Sequence, residues 1–204
     1  MQQFTASMPD IIEIARIVSS GGIIAYPTDT VYGLGCNPYI HNSVKKIFEL
    51  KIRENKPLPL LCDSIKSALK IASFDPISLK LAEKFWPGSL TIVVPMTNDS
   101  LKTITCGSEF IALRVPDNPI TLSLISNCSG YLVGTSANIS GTKSNHSASL
   151  VMSQLPNLDA ILIDDIENKS KESTIVKVED DAINIIRSGS IDSKLIQRHG
   201  ANCF

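Results

Sequence analysis

Aromatic residues are scarce in this chain, at 5% of 204 positions, and ionic residues make up only 19%, with a formal net charge of −1. That near-neutral balance gives no global case for nucleic-acid binding and leaves only a local basic cleft open. Histidine occurs at His41, His146 and His199, without metal-ligand spacing, so no metal site is expected from them. Cysteine occurs at Cys36, Cys62, Cys106, Cys128 and Cys203, an odd set with no CxxC pair. This argues against a disulfide framework or zinc site and fits a reducing cytoplasm. No apolar run approaches the ~20 residues of a membrane helix, and the N-terminus has no basic or apolar leader region, so no membrane association is expected. There is no GxxxxGK(S/T) loop, no GxGxxG after a strand, and no GxSxG elbow around Ser136. P-loop, dinucleotide-binding and serine-hydrolase chemistry are set aside accordingly. Cys36 and Cys62 lie in apolar settings and read as structural rather than nucleophilic.

What is present is a core: 43% of residues are hydrophobic, enough for one large domain. Ser7, Pro9 and Asp10 mark a helix start before Ile11, Ile12, Ala15, Ile17 and Val18. The strand Ile23–Tyr26 runs into YPTDTVYGLGC at 26–36, rich in Thr, Asp and Gly. Its hydroxyls and backbone donors suit carboxylate or phosphate oxygens, although the same residues make an ordinary tight turn. Asn42 or Ser43 is expected to cap a helix bearing Val44, Ile47, Phe48 and Leu50. Leu58–Cys62 reads as a strand, with Pro59 suggesting an edge or a bulge. Helices follow at Ser64–Ala72 and Pro76–Phe85, then strands at Leu90–Pro95 and Phe110–Val115, a helix at Pro119–Ser126 and a strand at Tyr131–Gly134. A helix at Ser147–Leu155, a strand at Ala160–Ile163 and a charged loop over 164–172 come next. Ser173–Val178 and Ile183–Arg187 pattern as a hairpin across Asp180-Asp181. A weak helix closes the chain at Ile191–Arg198. This alternation predicts one α/β domain over residues 1–204, with a twisted mixed sheet flanked by helices.

The polar groups cluster in five places: Thr28–Gly33, Lys51-x-Arg53-x-x-Lys56, Arg114, Thr135–Ser140, and Ser173-Thr174 with Arg187. The arginine fork matches carboxylate and phosphate oxygens. Arg114 closes an apolar strand, where α/β sheets commonly bind ligands. The plainer alternative is a set of solvated charges, which is the default for single lysines. A site of cations, hydroxyls and amides with no evident base or nucleophile suits reactions driven by positioning and charge stabilisation, such as phosphoryl or nucleotidyl transfer.

With those residues in view, the chain resembles the YrdC/TsaC family of L-threonylcarbamoyladenylate synthases. The matching pieces, in order, are YPTDTVYGLGC at 26–36, KIRENKPL at 51–58, FWPGSLT at 85–91, ALRVPDNP at 112–119, TSANISG at 135–141, STIV at 173–176 and IRSGSI at 186–191. The resemblance implies a YrdC-like fold with a concave basic cleft, in a short single-domain form. It implies synthesis of L-threonylcarbamoyl-AMP and pyrophosphate from L-threonine, bicarbonate and ATP, with Mg²⁺ accompanying the ATP. Downstream threonylcarbamoyl-transferase proteins would carry the group to adenosine 37 of tRNAs reading codons that start with A. By resemblance, Lys51 and Arg53 are catalytic, and Thr30, Arg114 and Ser173 hold threonine. Arg53, Lys56, Ser136, Asn138, Ser140 and Arg187 hold the nucleotide. The competing reading is a non-enzymatic RNA-binding protein of the same fold. A carbamoyl-adenylate domain of hydrogenase maturation normally sits in a much larger protein.

Overall fold

Ser7 caps the first helix as its spacing predicts, accepting from the Asp10 amide at 3.3 Å. Ile11, Ile14, Ala15 and Val18 form the buried stripe, and Ile12 stays 41% exposed. The structure is a computed structural model and describes residues 1–52, 56–164 and 170–201. Arg53 and part of the charged 164–172 loop lie outside the described residues. The first half runs β1 (Gln2–Phe4), α1 (Met8–Ser19), β2 (Ile24–Tyr26), β3 (Gly33–Gly35), α2 (His41–Leu50), β4 (Leu60–Cys62), α3 (Ile65–Ala68), α4 (Pro76–Phe85) and β5 (Leu90–Pro95). The second half runs β6 (Phe110–Arg114), α5 (Pro119–Asn127), β7 (Tyr131–Val133), β8 (Thr135–Ser136) and α6 (Ala148–Gln154). It ends with β9 (Ala160–Leu162), β10 (Thr174–Glu179), β11 (Ala182–Arg187) and α7 (Ser193–Ala201).

The chain is α/β with mixed strand pairing, as expected, but the described strands divide between two sheets. One has the order β1-β9-β2-β3-β8 and the other β11-β10-β5-β6-β4-β7. Each mixes directions: β9 is parallel to β2 while β3 is antiparallel to it, and β10 is parallel to β5 while β6 is antiparallel to it. The hairpin from β10 to β11 turns at Asp180 and Asp181, both at positive φ (51° and 60°). A two-residue turn needs that conformation, and Asp tolerates it.

Three local expectations change. Pro59 does not mark an edge: β4 lies between β6 and β7. The proline precedes the ladder, and its carbonyl accepts from Gly134 N at 2.9 Å. Helix α2 begins at His41 with no side-chain cap. The buried Ser43 hydroxyl instead donates to the Gly21 carbonyl at 2.7 Å. Third, the Gly33-Leu34-Gly35 turn is the strand β3, paired with β2 so that Tyr26 faces Gly33.

Glycine is required in β3 by what covers it. Tyr26 is fully buried, its hydroxyl donates to the Val133 carbonyl at 2.7 Å, and its ring lies over both glycines. A Cβ on Gly33 would meet that ring at 2.6 Å. On Gly35 it would meet the Val133 carbonyl oxygen at 2.3 Å and the ring at 2.8 Å. Tyr26 belongs to an apolar cluster with Ile14, Leu61, Leu132 and Leu162, whereas Leu34 joins a second and larger one with Leu60, Ile92 and Leu113. The two sheets are thus tied at β2–β3 and β4–β7. No helix among the described residues is long and apolar enough to cross a membrane.

Gly35→Ala is expected to lower stability by about 1–3 kcal/mol, the usual cost of forcing a methyl into a packed core. Urea unfolding checks it, and an unchanged midpoint would contradict the packing described.

Candidate functional site

The end of the Tyr26 strand opens into a cavity of about 270 Å³, near the lower end of ligand pockets, about 300 Å³. Polar groups from five segments meet there. Thr28 and Thr30 come from the β2–β3 loop. Ser136 comes from β8, which pairs with β3 so that Gly33 faces Ser136. Ser173 and Arg187 come from the start of β10 and the end of β11, and Arg114 reaches in from β6. The apolar floor is made by Leu61, Val93, Ala112 and Ile175.

Arg114 organises one wall. Its Nε donates to the Gly88 carbonyl at 2.8 Å and its Nη1 to Thr30 Oγ1 at 3.0 Å. Its Nη2 makes an ion pair with Asp29. The Thr30 hydroxyl also shares a hydrogen bond with Thr28 Oγ1 at 3.0 Å, and Thr28 donates to the Val31 carbonyl at 2.7 Å. Arg114 and Asp29 are both largely withdrawn from water, with side chains 6% and 15% exposed.

Another wall holds Thr91, Glu172, Ser173 and Arg187. Thr91 and Ser173 hydroxyls lie 2.8 Å apart. Arg187 donates from Nη2 to the Ser173 carbonyl and Oγ at 2.9 and 3.1 Å, and its Nη1 pairs with Glu172 at 2.6 Å. Glu172 also accepts from Ser144. Arg187 reaches this wall through a β-bulge. Arg187 pairs with Ile175 but Ile185 pairs with Val176, so Ile186 is an extra residue on β11. Simple alternation would have aimed Arg187 to the same face as Ile185, which packs on the core.

Five of the expected site residues therefore line one cavity: Thr30, Arg114, Ser136, Ser173 and Arg187. Lys51 and Asn138 are not among its lining residues. Lys51 is buried, and its ammonium donates to the Ser136 carbonyl, to the Asn138 carbonyl at 2.8 Å and to Asn138 Oδ1 at 3.2 Å. It holds the Ser136–Asn138 segment, because a buried ammonium needs acceptors and the carbonyls of that segment supply them. Ser140 and Lys56 are exposed and do not line the cavity. Arg53 lies outside the described residues.

Among the described residues, Arg114 is matched by Asp29 and Arg187 by Glu172. Sequence reasoning missed Asp29, Thr91 and Glu172. Asp29 looked like a turn residue, and only its partner 85 positions away discloses its role. Cys36 and Cys62 are buried as expected. Burial pushes the Cys36 thiol up to about 12. It raises Cys62 further, with the nearby Asp63 adding to it.

Comparison with known proteins matches residues 16–189 to the Sua5/YciO/YrdC family model, described as "Telomere recombination". A threonylcarbamoyl-AMP synthase from Bacillus subtilis (strain 168) is 33% identical over 199 residues, which is 96% of this chain and 58% of that protein. One from Pyrococcus abyssi is 34% identical over 187 residues, 90% of this chain and 55% of that protein. The chain thus spans somewhat more than half the length of these relatives. The structure of P. abyssi Sua5 complexed with L-threonine superposes with a TM-score of 0.90 at 31% identity, covering 97% of this chain and 60% of that one. Escherichia coli YciO shares the fold, with a TM-score of 0.87 at 24% identity, covering 95% and 98% of the two chains.

Two outcomes are expected. Asp29→Asn leaves the Arg114 charge buried without its counter-ion and should lower stability by about 3 kcal/mol; a loss near zero in urea titration would contradict the pairing. With a thiol pKa of about 12, only about one Cys36 in 10⁴ is thiolate at pH 8, the form that reacts. Cys36 and Cys62 should resist alkylation at pH 8 until urea unfolds the chain; rapid native labelling, read by peptide mass, would contradict their burial.

Proposed function

Because the chain belongs to the Sua5/YciO/YrdC family, we propose that it is an L-threonylcarbamoyladenylate synthase, a nucleotidyltransferase. It takes L-threonine, bicarbonate and ATP to L-threonylcarbamoyl-AMP, pyrophosphate and water. The observation that carries the proposal is the convergence of Thr30, Arg114, Ser136, Ser173 and Arg187 on one cavity from segments far apart in sequence. The named relatives and the threonine complex of a relative support the same reading.

The geometry suits the chemistry in two stages. The neutral amine of threonine attacks the bicarbonate carbon, water leaves, and N-carboxy-threonine forms. Its new carboxylate attacks the α-phosphorus of ATP while the bond to the bridging oxygen breaks and pyrophosphate departs with the electron pair. Threonine occupies the inner cavity, where Thr30, Ser173 and Arg114 offer hydroxyls and a guanidinium over an apolar floor that accepts its methyl. The nucleotide lies outward along Ser136 and Arg187, with Lys56, Asn138 and Ser140 in the flanking segments. Fixed donors there stabilise charge building on the phosphates. Lys51 contributes by fixing the Ser136–Asn138 segment and by adding positive charge beside it. Arg53 is assigned to phosphates and bicarbonate by the family motif alone. Mg²⁺ enters with ATP. As the usual complex with ATP, it would neutralise charge on the phosphates.

The product would pass to threonylcarbamoyl-transferase proteins for adenosine 37 of tRNA, in the cytoplasm. Non-enzymatic RNA binding is the weaker reading, because backbone-driven binding wants many exposed cations and the formal net charge is −1.

Purified protein with bicarbonate and Mg·ATP should release pyrophosphate only when L-threonine is added, and Arg53→Ala should lower the rate about 10²-fold, the typical cost of removing one transition-state donor, without moving the melting temperature. Threonine-independent release, or none, overturns the proposal. Tight tRNA binding with no adenylate made would favour the RNA reading instead.

A further inference from the structure

The bulge that aims Arg187 does a second thing: it places a large apolar side chain beside the guanidinium. Ile186 is the unmatched residue of β11, and consecutive residues at a bulge can present to the same face. Ile186 and Arg187 both line the cavity. Leu61 in the floor is buried, and Val93, Ala112 and Ile175 are half-buried, but Ile186 is 56% exposed. It therefore stands at the mouth rather than in the floor.

An exposed isoleucine is by itself unremarkable, and a bulge near a sheet edge often serves only to twist the strand. Here both sit at one point of the cavity wall, next to a cation that can hold phosphate or ribose oxygens. A flat purine is the part of a nucleotide that gains from an apolar ledge, since it has two large faces to remove from water. We infer that Ile186 is a nucleotide-specificity residue, the ledge on which the base of ATP rests while the neighbouring Arg187 engages the polar part. The inference rests on reading the cavity as an ATP site and assigns the base-contacting residue within it. Such a ledge rewards the presence of a base, not a particular hydrogen-bonding edge. It separates ATP from ligands that carry phosphates alone.

Calorimetric titrations of the full chain with ATP and with inorganic tripolyphosphate test this. Ile186→Ala removes three carbons from a half-covered contact, which corresponds to roughly tenfold weaker ATP binding, and it should leave tripolyphosphate binding unchanged. Ile186→Leu should restore most of the ATP affinity. Melting temperatures close to wild type confirm that the exposed site tolerates both changes. Unchanged ATP affinity in Ile186→Ala, equal weakening of both ligands, or a wild-type chain that binds neither overturns the inference. A wild-type chain that binds ATP yet releases no threonine-dependent pyrophosphate refutes the reaction, while the binding ratios still decide the ledge.

Discussion

The packing of Tyr26 across the glycines of β3 is the constraint on which the site depends. A tyrosine buries about 150–250 Å². At about 25 cal/mol per Å² that is an upper bound of about 4–6 kcal/mol. The hydrogen bond from its hydroxyl to the Val133 carbonyl adds about 1 kcal/mol. Ring burial therefore dominates, and the shape of the ring dictates the residues opposite it. Only glycine lets β3 approach, and only that approach brings the chain back antiparallel to β2 and then into register with β8. The loop between β2 and β3 is carried over the end of β6, where Asp29 and Thr30 meet Arg114. Thr121 of α5 secures the same loop by donating to the Pro27 carbonyl.

Arg114 and Arg187 each have a carboxylate partner, but the two pairs differ in kind. Arg114 and Asp29 are largely buried, so separating them leaves an uncompensated charge in a poorly solvated place, which is strongly unfavourable. That pair belongs to the scaffold and orients Thr30. Arg187 and Glu172 are 41% and 32% exposed. Water screens such a pair and its net worth is about 0–1 kcal/mol. A phosphate can exchange for Glu172 at little loss, so the outer wall is the adaptable one.

The fold was legible where local chemistry decides it. The cap at Ser7, the boundaries of α4 and β5, and the turn at Asp180-Asp181 follow from capping, periodicity and turn rules. β3 was not legible, because Gly-Leu-Gly has no strand propensity and forms a strand only under the Tyr26 ring. Pro59 misled, since the backbone group it lacks lies just before the ladder. The split into two sheets depends on long-range pairing that no local pattern encodes. In the site, hydroxyl-rich strand ends and the two arginines were visible as types. The partners Asp29 and Glu172 were not, because each pair forms by chain reversal, and the bulge that turns Arg187 inward is a single-residue register change. Lys51 read as a ligand-facing cation, but the demand of a buried ammonium for acceptors turns it to the Ser136 and Asn138 carbonyls.

The central claim is that this cavity joins threonine, bicarbonate and ATP into one adenylate. The most direct test supplies bicarbonate with a heavy-carbon label, together with L-threonine and Mg·ATP, and follows the label by carbon NMR. The account predicts a new carbamoyl-carbon signal, split by coupling to phosphorus, that requires the protein and all three substrates. Label that remains in bicarbonate and carbon dioxide while ATP is consumed would contradict it.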